Sequence, residues 1–199
     1  MDISTLILLF VCIVNVILLV FIFFNKDKER SWPFFWILLL LVLWQVTELF
    51  NVAWLMYQDK ELLLIGVQAG LLPALYLAPA FIRLVFSLFG KWKRRSVSQK
   101  FLWWLPAIVM VPFLFTNYNI SSVTVTESGF IFEQGIMYPI FLVYFVAMLG
   151  YALYYLVANR QKANLIVKRQ INYIFVGTAL TALIGLLFSI VLPLLGVNE

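Results

Sequence analysis

Glu48 is the residue with the most chemistry to offer in this sequence. It interrupts an apolar stretch, with Gln45 three residues before it and Asn51 three residues after it. On a helix that spacing forms one polar stripe. A carboxylate between two carboxamides can hold a proton, accept hydrogen bonds from a ligand, or bind a neighbouring helix. Gln68 and Asn15 occupy comparable depths in the adjacent apolar stretches and are expected to complete the cluster. Arg83 is the other ionisable residue inside an apolar stretch. Glu48 lies about 13 Å from the near end of its stretch and Arg83 about 9 Å from the opposite face, counting 1.5 Å per helical residue. A direct ion pair between them is therefore disfavoured. Arg83 can snorkel to a headgroup layer, and Glu48 is too short to do so.

Other chemistry is excluded by what the chain lacks. There is no histidine, so the commonest general base and a phosphoacceptor histidine are both missing. The single Cys12 cannot form an internal disulfide and reads as a small buried hydrophobe. No glycine-rich phosphate cradle and no catalytic carboxylate pair occur, so neither enzyme activity nor a cofactor or metal is expected.

The elements that must position these groups follow from hydropathy. A 64% hydrophobic fraction and a mean hydropathy of +1.02 leave too little polar surface for a soluble globule of 199 residues. Six apolar runs follow one another at 3–24, 33–57, 62–89, 101–116, 136–157 and 171–195. Each is near the roughly 20 residues that span a bilayer. The fourth is short and must borrow from 96–100 or 117–118; the third is long and contains Pro73 and Pro79, which favours a kink. The prediction is an all-α polytopic membrane helix bundle of six transmembrane helices, forming a single domain over 1–199.

Twelve of the fourteen Lys and Arg residues fall in the segments 25–30, 90–100 and 159–169, every second loop. They include Lys91, Lys93, Arg94, Arg95, Arg160, Lys162, Lys168 and Arg169. Cytoplasmic loops collect such residues, so both the N-terminus and, after six crossings, the C-terminus are expected outside. Together with Arg83, these bases are expected to set topology and meet lipid headgroups; nucleic acid is not expected as a partner. The loop at 117–135 alternates through Val123-Thr124-Val125-Thr126, turns at Glu127-Ser128-Gly129 and continues as Phe130-Ile131-Phe132, predicting a small outer β-hairpin. Asn119-Ile120-Ser121 is also a glycosylation sequon. Gly66 and Gly70 form a small-xxx-small pattern that permits close helix contact.

Three stretches resemble the N-terminal seven-transmembrane region of bacterial sensor histidine kinases. They are Gly70-Leu-Leu-Pro73 through Pro79 and Arg83 to Phe89-Gly90; Leu105-Pro106 to Thr116-Asn117; and Lys168-Arg169-Gln170-Ile171-Asn172-Tyr173, then Gly177, Gly185 and Leu192-Pro193-Leu194-Leu195-Gly196. The resemblance implies a sensory input module in the cell membrane, coupling a small or lipidic signal to a cytoplasmic output. Homodimerisation follows only by analogy. Six helices and no cytoplasmic output domain leave the chain one helix short of that pattern, which suggests a fragment, a truncated frame or a stand-alone relative. A small transporter or channel subunit is the alternative reading. For Glu48, two roles stand side by side: hydrogen-bonded glue between helices, or part of a ligand- or proton-responsive pocket with Gln45, Asn51, Gln68 and Asn15.

Overall fold

The computed structural model describes residues 3–24, 28–126 and 129–186. Within them lie α1 (Ile3–Phe23), α2 (Lys28–Tyr57), α3 (Lys60–Leu88), α4 (Val97–Leu114), β1 (Ile120–Thr126), β2 (Gly129–Gln134), α5 (Met137–Asn159), a 3₁₀ turn (Arg160–Lys162) and α6 (Leu165–Leu186). Among the described residues five helices are long and apolar enough to cross a membrane, α1 to α5. The predicted end of the sixth span at 187–195, the first residues of the basic segment at 25–27, and Glu127-Ser128 of the hairpin turn lie outside the described residues. The chain divides into two compact units, Met1–Gly150 and Tyr151–Glu199.

In the first unit α3 is the hub. It packs against α2, α4 and β1, while α1 packs on α2. More than half of its span is buried (56%), against 6–17% in the other four. Composition explains the difference. Gly66, Ala69, Gly70, Ala74, Ala78 and Ala80 let neighbouring backbones approach α3, whereas α1 turns Leu, Ile, Val and Phe side chains outward. In hydrocarbon such outward faces need no protein partner, because lipid tails are as apolar as leucine.

Both ends of α3 are fixed by local chemistry. Asp59 caps its N-terminus, the carboxylate accepting from Leu62 N at 3.1 Å, with Glu61 in the positive first turn. The preceding α2 ends in a Schellman turn: Gln58 N donates to Leu55 O (3.1 Å), Asp59 N donates to Trp54 O (3.3 Å), and Gln58 is left-handed at φ 54°. The same motif closes α3, with Gly90 at φ 64° and Lys91 N donating to Phe86 O at 2.9 Å. Pro73 and Pro79 lie inside a helix that continues through both.

α4 begins four residues earlier than its apolar run. Ser96 and Gln99 form a reciprocal capping box, so the helix borrows from the 96–100 segment and reaches 18 residues. The hairpin forms as predicted, antiparallel, with Val123 opposite Phe132 and Val125 opposite Phe130. A bulge lies between Ile120 and Ser122. Residues three apart on a regular strand face opposite sides; the extra residue puts Ile120 and Val123 on one face. Both are buried with Leu63 of α3, flanked by Trp54, Leu64, Val67, Phe130 and Phe132. A second core joins Ala74 and Leu75 of α3, Ala107 and Leu114 of α4 and Phe141 of α5.

In the second unit α5 ends with Asn159 Nδ2 donating to Tyr155 O at 3.0 Å. Asn164 Oδ1 accepts from Val167 N at 2.9 Å at the start of α6. The basic segment 159–169 is thus not all loop. Lys168 and Arg169 belong to the first turns of α6, because Asn164 initiates a helix within the segment.

Candidate functional site

The polar stripe of α2 faces the glycines of α3. A Cβ on Gly66 would overlap Asn51 Oδ1 and the Trp54 ring; one on Gly70 would stand 3.2 Å from Thr47 Oγ1 and 3.6 Å from Glu48 Oε1. Residue numbers run in opposite directions along the two helices, so α2 and α3 form an antiparallel seam. Its polar side chains come from α2 and its close approach comes from α3. The Gly66–Gly70 pattern therefore serves packing within one chain.

Each oxygen of the Glu48 carboxylate accepts one hydrogen bond. Trp44 Nε1 donates to Oε1 at 3.1 Å, and Asn51 Nδ2 donates to Oε2 at 3.4 Å. Glu48 is half-buried and Asn51 is buried. Having donated to Glu48, Asn51 leaves its own Oδ1 enclosed with no donor. One turn away, Asn15 Nδ2 of α1 donates to Gln45 Oε1 at 3.1 Å. Four of the five predicted residues thus fall into two hydrogen-bonded pairs one helical turn apart, Asn15 of α1 with Gln45 of α2, and Glu48 with Asn51 on α2 facing the glycines of α3.

Gln68 does not join them. Its Nε2 donates to Ile120 O of β1 at 3.3 Å, and it is 5% exposed. The reason is helical phase: Gln68 is two residues from both Gly66 and Gly70, and residues two apart do not share a face. It fastens the hairpin to α3 instead. Trp44 and Thr47 are site residues that the sequence reading passed over. Trp44 stands four residues before Glu48, a spacing at which helical side chains meet. Thr47 Oγ1 donates back to Trp44 O at 2.6 Å, at the point nearest Gly70.

Arg83 is far from this arrangement in its interactions. Its guanidinium lies 6.0 Å from the Trp92 ring centre, and its Nε is buried without an acceptor. Of the remaining predicted headgroup residues, Lys91, Lys93, Arg94, Arg160 and Arg169 are exposed and Arg95 and Lys168 are half-buried. Lys162 closes the 3₁₀ turn. The sequon asparagine, Asn119, is fully buried, so in this fold it cannot accept a glycan. Among the described residues no group of His, Cys, Asp or Glu side chains is arranged to hold a metal ion.

The stripe can take a donor at Asn51 Oδ1 and, through Glu48 and Asn51, alter how α2 seats on α3. Among the described residues it pairs no second carboxylate or other general base with Glu48. The family described as the N-terminal 7TM region of histidine kinase matches residues 7–198. No curated protein and no solved structure matches the chain significantly. With nearly the whole sequence covered, on helices of membrane-spanning length, this chain belongs to the family of N-terminal 7TM regions of histidine kinases.

Proposed function

We propose that this region senses a small or lipidic signal at the α1–α2–α3 seam and passes it on as a change in how α2 packs against α3. Asn51 Oδ1 carries the reading. An acceptor buried without a donor costs about 1–3 kcal/mol, which a ligand donor or an altered packing would recover. That sum is of the size that moves a two-state equilibrium between minor and major population. The Lys and Arg distribution supports an orientation with the hairpin outside and the basic segments in the cytoplasm. A signal reaching the seam from the hairpin side would then be relayed along α3 towards a cytoplasmic kinase output.

The test joins the chain, through a seventh helix, to a histidine-kinase transmitter and reads autophosphorylation in membranes. Glu48→Gln keeps the size of the side chain but withdraws an acceptor charge from Trp44 and Asn51. Basal output is expected to shift by about threefold or more, the change a bias near 0.7 kcal/mol produces. Unaltered output from a normally folded variant would leave Glu48 as helix glue. Substrate uptake by proteoliposomes of the chain alone, blocked by the same substitution, would instead establish transport.

A further inference from the structure

The Gly90 end of α3 carries a second built arrangement, which the seam does not use. The left-handed turn at Gly90 folds the chain back so that Lys91 N and Trp92 N both donate to Phe86 O, at 2.9 and 3.3 Å. Trp92 consequently stacks on Phe86, with ring centres 6.5 Å apart and planes 18° apart. Trp103 of α4 approaches the same ring at 5.9 Å and 58°.

Two arginines lie against this aromatic cluster. Arg95 lies 4.1 Å from the Phe86 ring centre and 5.8 Å from that of Trp103, and Arg83 lies 6.0 Å from Trp92. A cation–π contact engages the face of a guanidinium. Its N–H donors lie in the plane and remain available as a fork for an oxyanion. Arg83 Nε is such a donor, buried and without an acceptor. Arg95 and Trp92 are half-buried, in contrast to the exposed Lys91, Lys93 and Arg94 around them. From Arg83 to Lys100 the chain has six bases and no acid. Immediately beyond, α4 exposes Phe101, Leu102 and Leu105. An anion attracted here would therefore find an apolar surface next to its binding groups.

We propose that this cluster binds the phosphate of an anionic phospholipid. Arg83 and Arg95 donate to the phosphate oxygens, the Phe86–Trp92–Trp103 cluster fixes both guanidiniums, and the exposed face of α4 receives an acyl chain. The site is separate from the seam, so neither proposal depends on the other.

The chain purified in phosphatidylcholine nanodiscs, titrated with phosphatidylglycerol and read by native mass spectrometry, decides the matter. The wild-type chain is expected to retain phosphatidylglycerol. Arg83→Gln with Arg95→Gln should weaken retention about tenfold, the effect of losing one charge-assisted fork. Lys93→Gln with Arg94→Gln removes the same charge from exposed positions and should change retention by less than about twofold. Equal losses from both pairs would overturn the site in favour of a diffuse basic surface. Should the first pair fail to fold, Arg95→Lys keeps the charge but not the fork. A loss of about threefold there supports the site, and unchanged retention overturns it. Millimolar inorganic phosphate should not displace the lipid; full displacement would overturn the lipid assignment in favour of a soluble phosphate ligand.

Discussion

Gly66→Val should destabilise the protein by about 3 kcal/mol, the upper end of what overpacking a well-filled interior costs. The two nearest groups to an added Cβ, Asn51 and the Trp54 ring, have little room to give. Asn51 is 1% exposed, and Trp54 is packed against the hairpin core and stacked on Phe50. Because hydrophobic transfer contributes little between helices in lipid, close van der Waals contact carries a larger share of the α2–α3 association than it would in water. Gly70→Ala is the control. Its Cβ would meet Thr47 Oγ1 at 3.2 Å, tight but displaceable, and should cost less than about 1 kcal/mol. Thermal unfolding in detergent micelles measures both. Equal melting of Gly66→Val and wild type would mean that α2 and α3 do not meet at this glycine.

Leu63→Ala should release the hairpin. Leu63, Ile120 and Val123 form a buried cluster with Leu63 and Ile120 fully enclosed, so truncation leaves a cavity costing about 3 kcal/mol. The loss is expected locally, as undocking of β1 and β2 from α3, and not as global unfolding. Amide hydrogen exchange over 120–126 and 129–134 should accelerate by about 100-fold, the equivalent of that energy. Ile131→Ala on the outward face of β2, where the side chain is 63% exposed, should leave exchange unchanged. Exchange that is equally slow in both variants would show that the hairpin is held by something other than this contact. Gln68 acts in the same place, its hydrogen bond to Ile120 O joining the hairpin to the helix that also carries the seam glycines.

Much of the architecture was legible in the residues because membrane-spanning helices announce themselves by length and polarity. Hydropathy alone placed α1, α3 and α5 to within about two residues at each end and the C-terminal end of α2, whose start at Lys28 lies inside the basic segment, and period-two alternation placed the hairpin. Helix starts depart from the apolar runs where a local hydrogen bond overrides composition. The Ser96–Gln99 capping box starts α4 in the 96–100 segment, one of the two from which its short run was expected to borrow, and Asn164 starts α6 before its apolar run. At the candidate site, spacing three on α2 brings Glu48 and Asn51 within hydrogen-bond reach, with Gln45 one turn away. Gln68 shares their depth but not their helical phase: membership of the Gly66–Gly70 helix does not imply membership of its glycine face. No sequence pattern could have supplied the bulge that turns Ile120 and Val123 together, since it depends on the strand being docked. The stacking of Trp92 on Phe86 likewise needed the Gly90 turn.

In the proposed function the α2–α3 seam is tight, and its packing sets the output. Thr47 and Gly70 allow it to be tested in one experiment. A Cβ at Gly70 would lie 3.8 Å from Thr47 Cβ, within the roughly 3.5–4.5 Å separation that a disulfide requires. Thr47→Cys with Gly70→Cys, with Cys12→Ala to remove the native thiol, would be built into the transmitter fusion and oxidised in membranes. Ready intramolecular cross-linking is expected, with a change in autophosphorylation of about threefold or more and recovery on reduction, and neither single-cysteine variant should respond. Complete cross-linking with unchanged autophosphorylation would contradict the proposed function, placing the signal outside the seam.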